Sequence, residues 1–241
     1  MERSFSLIKN EFGHHEKKIL PRFPFCYLVF KSNGDSPVRF FEIKDISLSG
    51  MQLALKDGEH NLKENDQIEG FIHWHGKELS AEGRVKWTTD KRLGLAFAGG
   101  EQFNNKIETF LSPAQIATNL RTVDASKLQL ETPANLRYWL SADGPMEFFV
   151  WQHSDGEISR FQILLMEKYI EWEDGQGLRT GRVLSKRDVD TPLLTEDEFV
   201  FQIDENVSEE KINFALQVID HLKEDLISDD VIAFFKRKMG K

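Results

Sequence analysis

Apolar and polar residues alternate along much of the first half of the chain, and a period of two predicts β-strands. In a first strand, over residues 23–32, Phe25, Tyr27 and Val29 fall on one face and Cys26, Leu28 and Phe30 on the other. Asn33, Gly34 and Asp35 supply hairpin-turn chemistry, and a second strand follows over about 38–46. Gly50 separates it from a third strand at 51–55, which Asp57 and Gly58 end. Residues 68–75, 77–88 and 92–98 complete the set. Six strands with short turns and no intervening helix predict a closed antiparallel barrel, an arrangement that leaves no sheet edge exposed.

At Gly99 and Gly100 the period changes. Phe103, Ile107, Phe110 and Leu111 share one helical face, and Ser112, Pro113 and Gln115 predict a capping box that opens a second helix. Beyond residue 135, strands are expected at 136–141, 146–153, 157–166, 169–173, 178–184 and 199–203. The Asp-Gly pairs at 143–144 and 155–156 predict tight hairpins with positive backbone angles at both residues. Ser208 and Ser228 stand where each can cap a helix, and Ile212, Ala215, Ile219, Leu222 and Leu226 form a narrow apolar stripe on the first. Packing on its own sheet is the expected use of that stripe. The expected organisation is an N-terminal extension at 1–14, at most partly helical, a barrel domain at 15–121, a linker at 122–135 and an α+β domain at 136–241.

Composition narrows the function classes. The 241 residues suit two cores, and 40% hydrophobic with 29% charged residues is ordinary for a soluble protein. No apolar run approaches the roughly 18 residues of a membrane span, and no secretory leader opens the chain, so a cytoplasmic protein with no membrane insertion is expected. Cys26 is the single cysteine, which leaves no internal disulfide and no cysteine-based zinc site. The net charge of −9 is uneven: residues 1–122 carry +1 and residues 123–241 carry −10. An acidic second half repels polyanions, so a nucleic acid polymer is not an expected partner.

Two polar clusters in the first half suit a small anionic ligand. Lys17, Lys18 and Arg22 lie on a short arm that Pro21 keeps extended, because the residue before a proline is pushed away from helical angles. Asp45, Ser47 and Gly50 follow at a strand end, where the carboxylate and hydroxyl are expected to face outward. Taken singly, Lys17 and Lys18 read as a solvated charge pair, and Asp45 with Ser47 as the organisers of a turn.

In order and together, these residues resemble the PilZ domain, a bacterial receptor module for cyclic di-GMP. The family pattern is an arginine pair four apart, then an acidic or amide residue, any residue, serine, any two and glycine. Asp45, Ser47 and Gly50 match its second half; Arg22 matches the first, with Lys18 where the earlier arginine stands and Lys17 beside it. Gly83-Arg84-Val85-Lys86-Trp87 and Leu93-Gly94-Leu95-Ala96-Phe97 resemble the family's closing strands. The resemblance spans about 15–105. It implies a six-stranded PilZ-like β-barrel with C-terminal helices, followed here by the second α+β domain.

It also implies a non-enzymatic cyclic di-GMP receptor whose ligand-binding residues are Lys17, Lys18, Arg22, Asp45, Ser47 and Gly50, with no catalytic or metal-ligating set and no cofactor. An arginine can both stack on guanine and donate to its O6 and N7, an aspartate can accept from N1 and N2, and a serine can donate to phosphate. A lysine at 18 neutralises phosphate without the bidentate fork. The C-terminal domain is expected to pass the signal to a protein partner. The alternative is a degenerate PilZ adaptor that binds no nucleotide and acts through protein contacts.

Other groups carry less. His73 and His75 lie two apart on one expected strand, with no further metal ligand implied. Trp139, Phe149, Trp151, Phe161 and Trp172 are read as a sheet core rather than a pocket lining.

Overall fold

The computed structural model describes residues 14–20, 28–33, 38–55, 58–127, 132–143, 146–187 and 197–240; for 14–20, 184–187 and 197–200 it describes the backbone. Six strands pair antiparallel into a closed barrel: β2 (Leu28–Ser32), β3 (Phe40–Ile46), β4 (Gly50–Ala54), β5 (Gln67–Trp74), β6 (Lys77–Thr88) and β7 (Arg92–Ala98). Their order around the barrel is β2, β3, β4, β7, β6, β5 and back to β2. Residues 23–27 of the expected first strand and Arg22 lie outside the described residues. Alternation fills the interior with Phe30, Phe41, Ile43, Ile46, Leu53, Ile72, Trp74, Val85 and Leu93, all without solvent exposure.

Two helices, α1 (Gly100–Phe110) and α2 (Pro113–Asn119), follow the barrel directly. Phe103, Ile107 and Phe110 bury the predicted face of α1, with Phe110 against Trp74 at a ring separation of 5.8 Å. Ser112 caps α2 by accepting from the Gln115 backbone N–H. The capping box is only half made: the Gln115 carboxamide accepts from the Lys77 ammonium on β6 instead of turning back to Ser112.

The second unit is an eight-stranded antiparallel sheet. It runs β1 (His14–Leu20), β14 (Asp197–Ile203), β13 (Gly177–Arg187), β12 (Lys168–Glu173), β11 (Ile158–Leu165), β10 (Met146–Gln152), β9 (Leu136–Ala142) and β8 (Arg121–Thr122). The six central strands form a meander in chain order, close to the expected bounds. The edge strands depart from expectation. Residues 121–122, placed at the end of the barrel domain and the start of the linker, pair with β9; residues 14–20 form β1 against β14, where an extension and a barrel arm were expected.

Each face of this sheet is buried. Phe161, Ile163, Ile170 and Trp172 meet α3 (Glu209–Asp220) and α4 (Asp229–Lys238), with Phe161 and Phe235 rings 4.6 Å apart. Trp139, Phe149, Trp151, Leu164, Tyr169 and Phe201 form a separate cluster on the other face. The five aromatic residues singled out in the sequence are therefore sheet core, divided between two faces. Ser208 caps α3 through the Lys211 N–H. Ser228 stands at the start of α4 without bonding its backbone; its hydroxyl pairs with Tyr138 and helps hold the Asp230 carboxyl below its ordinary range. At the 155–156 turn only Gly156 takes a positive φ, 90°, while Asp155 braces the turn by accepting from the Glu157 N–H. No helix among the described residues is long and apolar enough to cross a membrane.

The two units share one hydrophobic cluster that runs from the barrel interior through α1 and α2 to α3, α4 and one sheet face. A polar clasp reinforces it. Asp143, expected only to shape a hairpin, has a fully buried side chain that accepts from Trp74 Nε1 at 3.3 Å and lies 2.6 Å from His75 Nε2 and 3.4 Å from Arg121. His75 has left the strand for a turn position with φ of 46°, so it and His73 do not form a pair on one face. Asp143→Ala leaves the buried Trp74 N–H without its acceptor and removes the carboxylate that His75 and Arg121 share. The expected loss is about 3 kcal/mol, read as a fall in the urea midpoint of the full chain.

Candidate ligand cleft on the barrel wall

Strict alternation along β3 would carry the inward sequence of Phe41 and Ile43 on to Asp45. It does not, because β3 carries a bulge: Ile43 pairs with Leu53, but Asp45 pairs with Gln52, leaving Lys44 as the extra residue. Ile46 consequently enters the core and Asp45 faces outward, as expected of a strand-end carboxylate. A second bulge lies in β6. Leu79, Ala81 and Val85 point inward, and Trp87 would be next, but the register shifts between Val85 and Trp87 and places the indole outside, 40% exposed.

The two bulges act on one row of residues. Asp45 pairs with Gln52, Gln52 with Gly94, and Gly94 with Trp87, so these four form a continuous rung across β3, β4, β7 and β6. Gly94 is what lets the indole lie down across the rung: a Cβ there would sit 2.1 Å from Trp87 Nε1. The result is a cleft of about 290 Å³. Asp45, Ser47, Ser49, Gly50, Gln52, Lys86, Trp87 and Gly94 are among its lining residues, and they present a carboxylate, hydroxyls, a carboxamide, an ammonium and an aromatic face.

Ser47 and Gly50 close one end. The Ser47 N–H donates to Gly50 O at 2.9 Å, and Ser47 Oγ accepts from the Ser49 N–H at 3.2 Å, so this serine shapes the β3–β4 turn as well as facing the cleft. Gly50 has no unusual φ; it is required because a Cβ would lie 2.2 Å from Leu95 O on β7. Of the expected site residues, then, Asp45, Ser47 and Gly50 come together. Lys17 and Lys18 sit on β1, in register with Val200 and Phe199 of the second sheet, and Arg22 is outside the described residues.

The sequence reading missed Gln52, Lys86 and Trp87 as site residues. Lys86 is exposed and forms no ion pair with a described residue. No group of three or more His, Cys, Asp or Glu residues gathers as a metal site among the described residues; His73 instead lies 3.1 Å from Glu78.

Comparison with known families bears on this barrel directly. Residues 20–112 match the family model of the PilZ domain. The barrel is a PilZ domain. The match covers all six strands of the PilZ barrel and α1. Among solved structures, the chain is similar to the PlzA protein of Borreliella burgdorferi in complex with c-di-GMP, with 12% identity, 82% of this chain and 88% of that chain covered, and a TM-score of 0.28. No curated protein matches the chain.

The glycine on the rung of this PilZ domain gives a direct test. Gly94→Ala forces the half-exposed indole off the strand, so the Trp87 Nε1–H resonance in a proton–nitrogen correlation spectrum is expected to shift. The Trp74 Nε1–H resonance, anchored on Asp143, is expected to stay in place. Unchanged Trp87 and displaced Trp74 would contradict this geometry.

Proposed function

We propose that this chain is a non-enzymatic receptor for cyclic di-GMP, which binds in the cleft of the PilZ barrel and signals through the C-terminal unit to a protein partner. The single observation that carries the reading is the rung of Asp45, Gln52, Gly94 and Trp87, where two bulges turn a carboxylate and an indole onto the same outer face. Guanine offers N–H donors at N1 and N2 that suit a carboxylate acceptor, and its flat face suits an exposed indole. The phosphates require cations, and Lys86 lies on the cleft wall. Ser47 adds a hydroxyl beside the turn. The cleft and the family resemblance support the same ligand.

In this reading Lys17 and Lys18 come to the ligand from the end of β1, and Arg22 from the segment that joins β1 to β2. That segment runs from an edge of the second sheet to the first barrel strand. Drawing it towards a doubly negative ligand changes the free energy of the β1–β14 pairing, which couples occupancy to the C-terminal sheet. The shared core and the Asp143 clasp hold the two units together elsewhere, leaving the N-terminal segment as the element that responds.

One observation favours the adaptor reading: Lys18 stands at the position of a family arginine and is paired through its backbone with Phe199. In that case the barrel is a scaffold and the acidic C-terminal unit is the contact surface.

Titration calorimetry on the full chain separates the two. The receptor is expected to bind cyclic di-GMP at micromolar affinity or tighter, with Asp45→Ala and Arg22→Ala abolishing the heat. Removing a base-stacking aromatic costs about 1–3 kcal/mol, so Trp87→Ala is expected to raise Kd by about five-fold to about 150-fold. Absence of heat from the unsubstituted protein at high concentration overturns the receptor and leaves the adaptor.

A further inference from the structure

We infer that Gln52 is a specificity-determining contact that hydrogen-bonds the edge of the purine base stacked on Trp87. The inference rests on the cleft being the nucleotide site proposed above. No motif position assigns it: residue 52 lies outside the serine and glycine pattern.

Three observations converge on it. The first is position. Neighbouring strands lie about 4.8 Å apart, and the rung places Gln52 one strand from Gly94, over which the indole lies, with Asp45 a further strand away. The edge of a base seated on that indole therefore meets position 52 before it meets the carboxylate. The second is orientation. The β4 residues Met51 and Leu53 point into the core, and Gln52 between them is half-buried and faces the cleft. The third is availability. The Gln52 carboxamide forms no hydrogen bond with any described residue, in contrast to Ser47, whose hydroxyl is already engaged by the turn.

A primary carboxamide is suited to this place. It carries an acceptor and two donors on one planar group, so it can accept from guanine N1–H while donating to O6. It adds no charge beside the phosphates, which a second carboxylate would do at a cost to binding an anion. Asp45 is then left for a second recognition element of the same ligand, such as its other base. A hydrogen-bonding site of this kind discriminates strongly because an apolar replacement leaves buried base atoms unpaired.

The test is a double-mutant cycle on the full chain, read by titration calorimetry with cyclic di-GMP. Gln52→Leu is expected to raise Kd between about five-fold and about 150-fold, the range for loss of a bidentate base contact. Its thermal midpoint is expected to match that of the unsubstituted protein, since residue 52 lies on the outer wall. In a Trp87→Ala background the same substitution is expected to cost much less, because the base it reads is no longer held. A change under two-fold in Gln52→Leu, or full additivity with Trp87→Ala, overturns the Gln52 contact while the receptor reading stands. Failure of the unsubstituted protein to bind overturns both.

Discussion

A side chain on a regular strand has no choice of face, and everything distinctive about this barrel follows from two places where that rule is suspended. An extra backbone residue resets the phase, so the residues beyond it exchange inside for outside. In β3 the reset delivers Ile46 to the core and Asp45 to the surface; in β6 it leaves Val85 inside and brings Trp87 out. Because β4 and β7 lie between the two, the displaced carboxylate and indole share a face with Gln52 and Gly94 and bound a cleft. Neither side chain reaches its position at the expense of the core, where Ile46 and Val85 stay without solvent exposure.

The two halves of the molecule are joined by means of different kinds. A continuous apolar cluster and the buried Asp143 carboxylate fix α1, α2 and the β5–β6 turn against the second unit. Such contacts resist relative movement, because a charge left unpaired in a buried setting is costly. The N-terminal strand makes its connection through backbone hydrogen bonds along one edge of a sheet. Edge pairing exposes one side of the strand's backbone to competition from solvent or other chains. Rigidity and susceptibility to displacement are thus placed at opposite ends of the same structure.

Much of the barrel was legible because its strands alternate cleanly and its turns are short; β6 and β7 fall where periodicity puts them. Asp45, Ser47 and Gly50 were legible as a group because they lie within one turn of chain. Trp87 was not, for a physical reason: the pattern through Leu79, Ala81 and Val85 places it inside, and a bulge is a property of the pairing between strands rather than of either strand alone. Gly94 on the facing strand was the available signal, since an unexplained glycine in a strand often marks a close approach. Asp143 was read as turn chemistry because an Asp-Gly pair is sufficient for a turn, and its use as a buried clasp depends on residues far away in the chain. Residues 14–20 have no alternation to read, and their partner strand begins at Asp197.

That last pairing has a consequence for how the molecule can be divided. Strand β1 precedes the barrel in the chain yet completes the sheet that follows it, so the second unit embraces the first from both sides in sequence. A cut anywhere between them removes a strand from one sheet or strips the other of its neighbour, and β14 would then present a bare row of amides and carbonyls. The barrel can therefore be regarded as an insertion within its companion, and inheritance or exchange of either piece by simple end-to-end fusion is disfavoured.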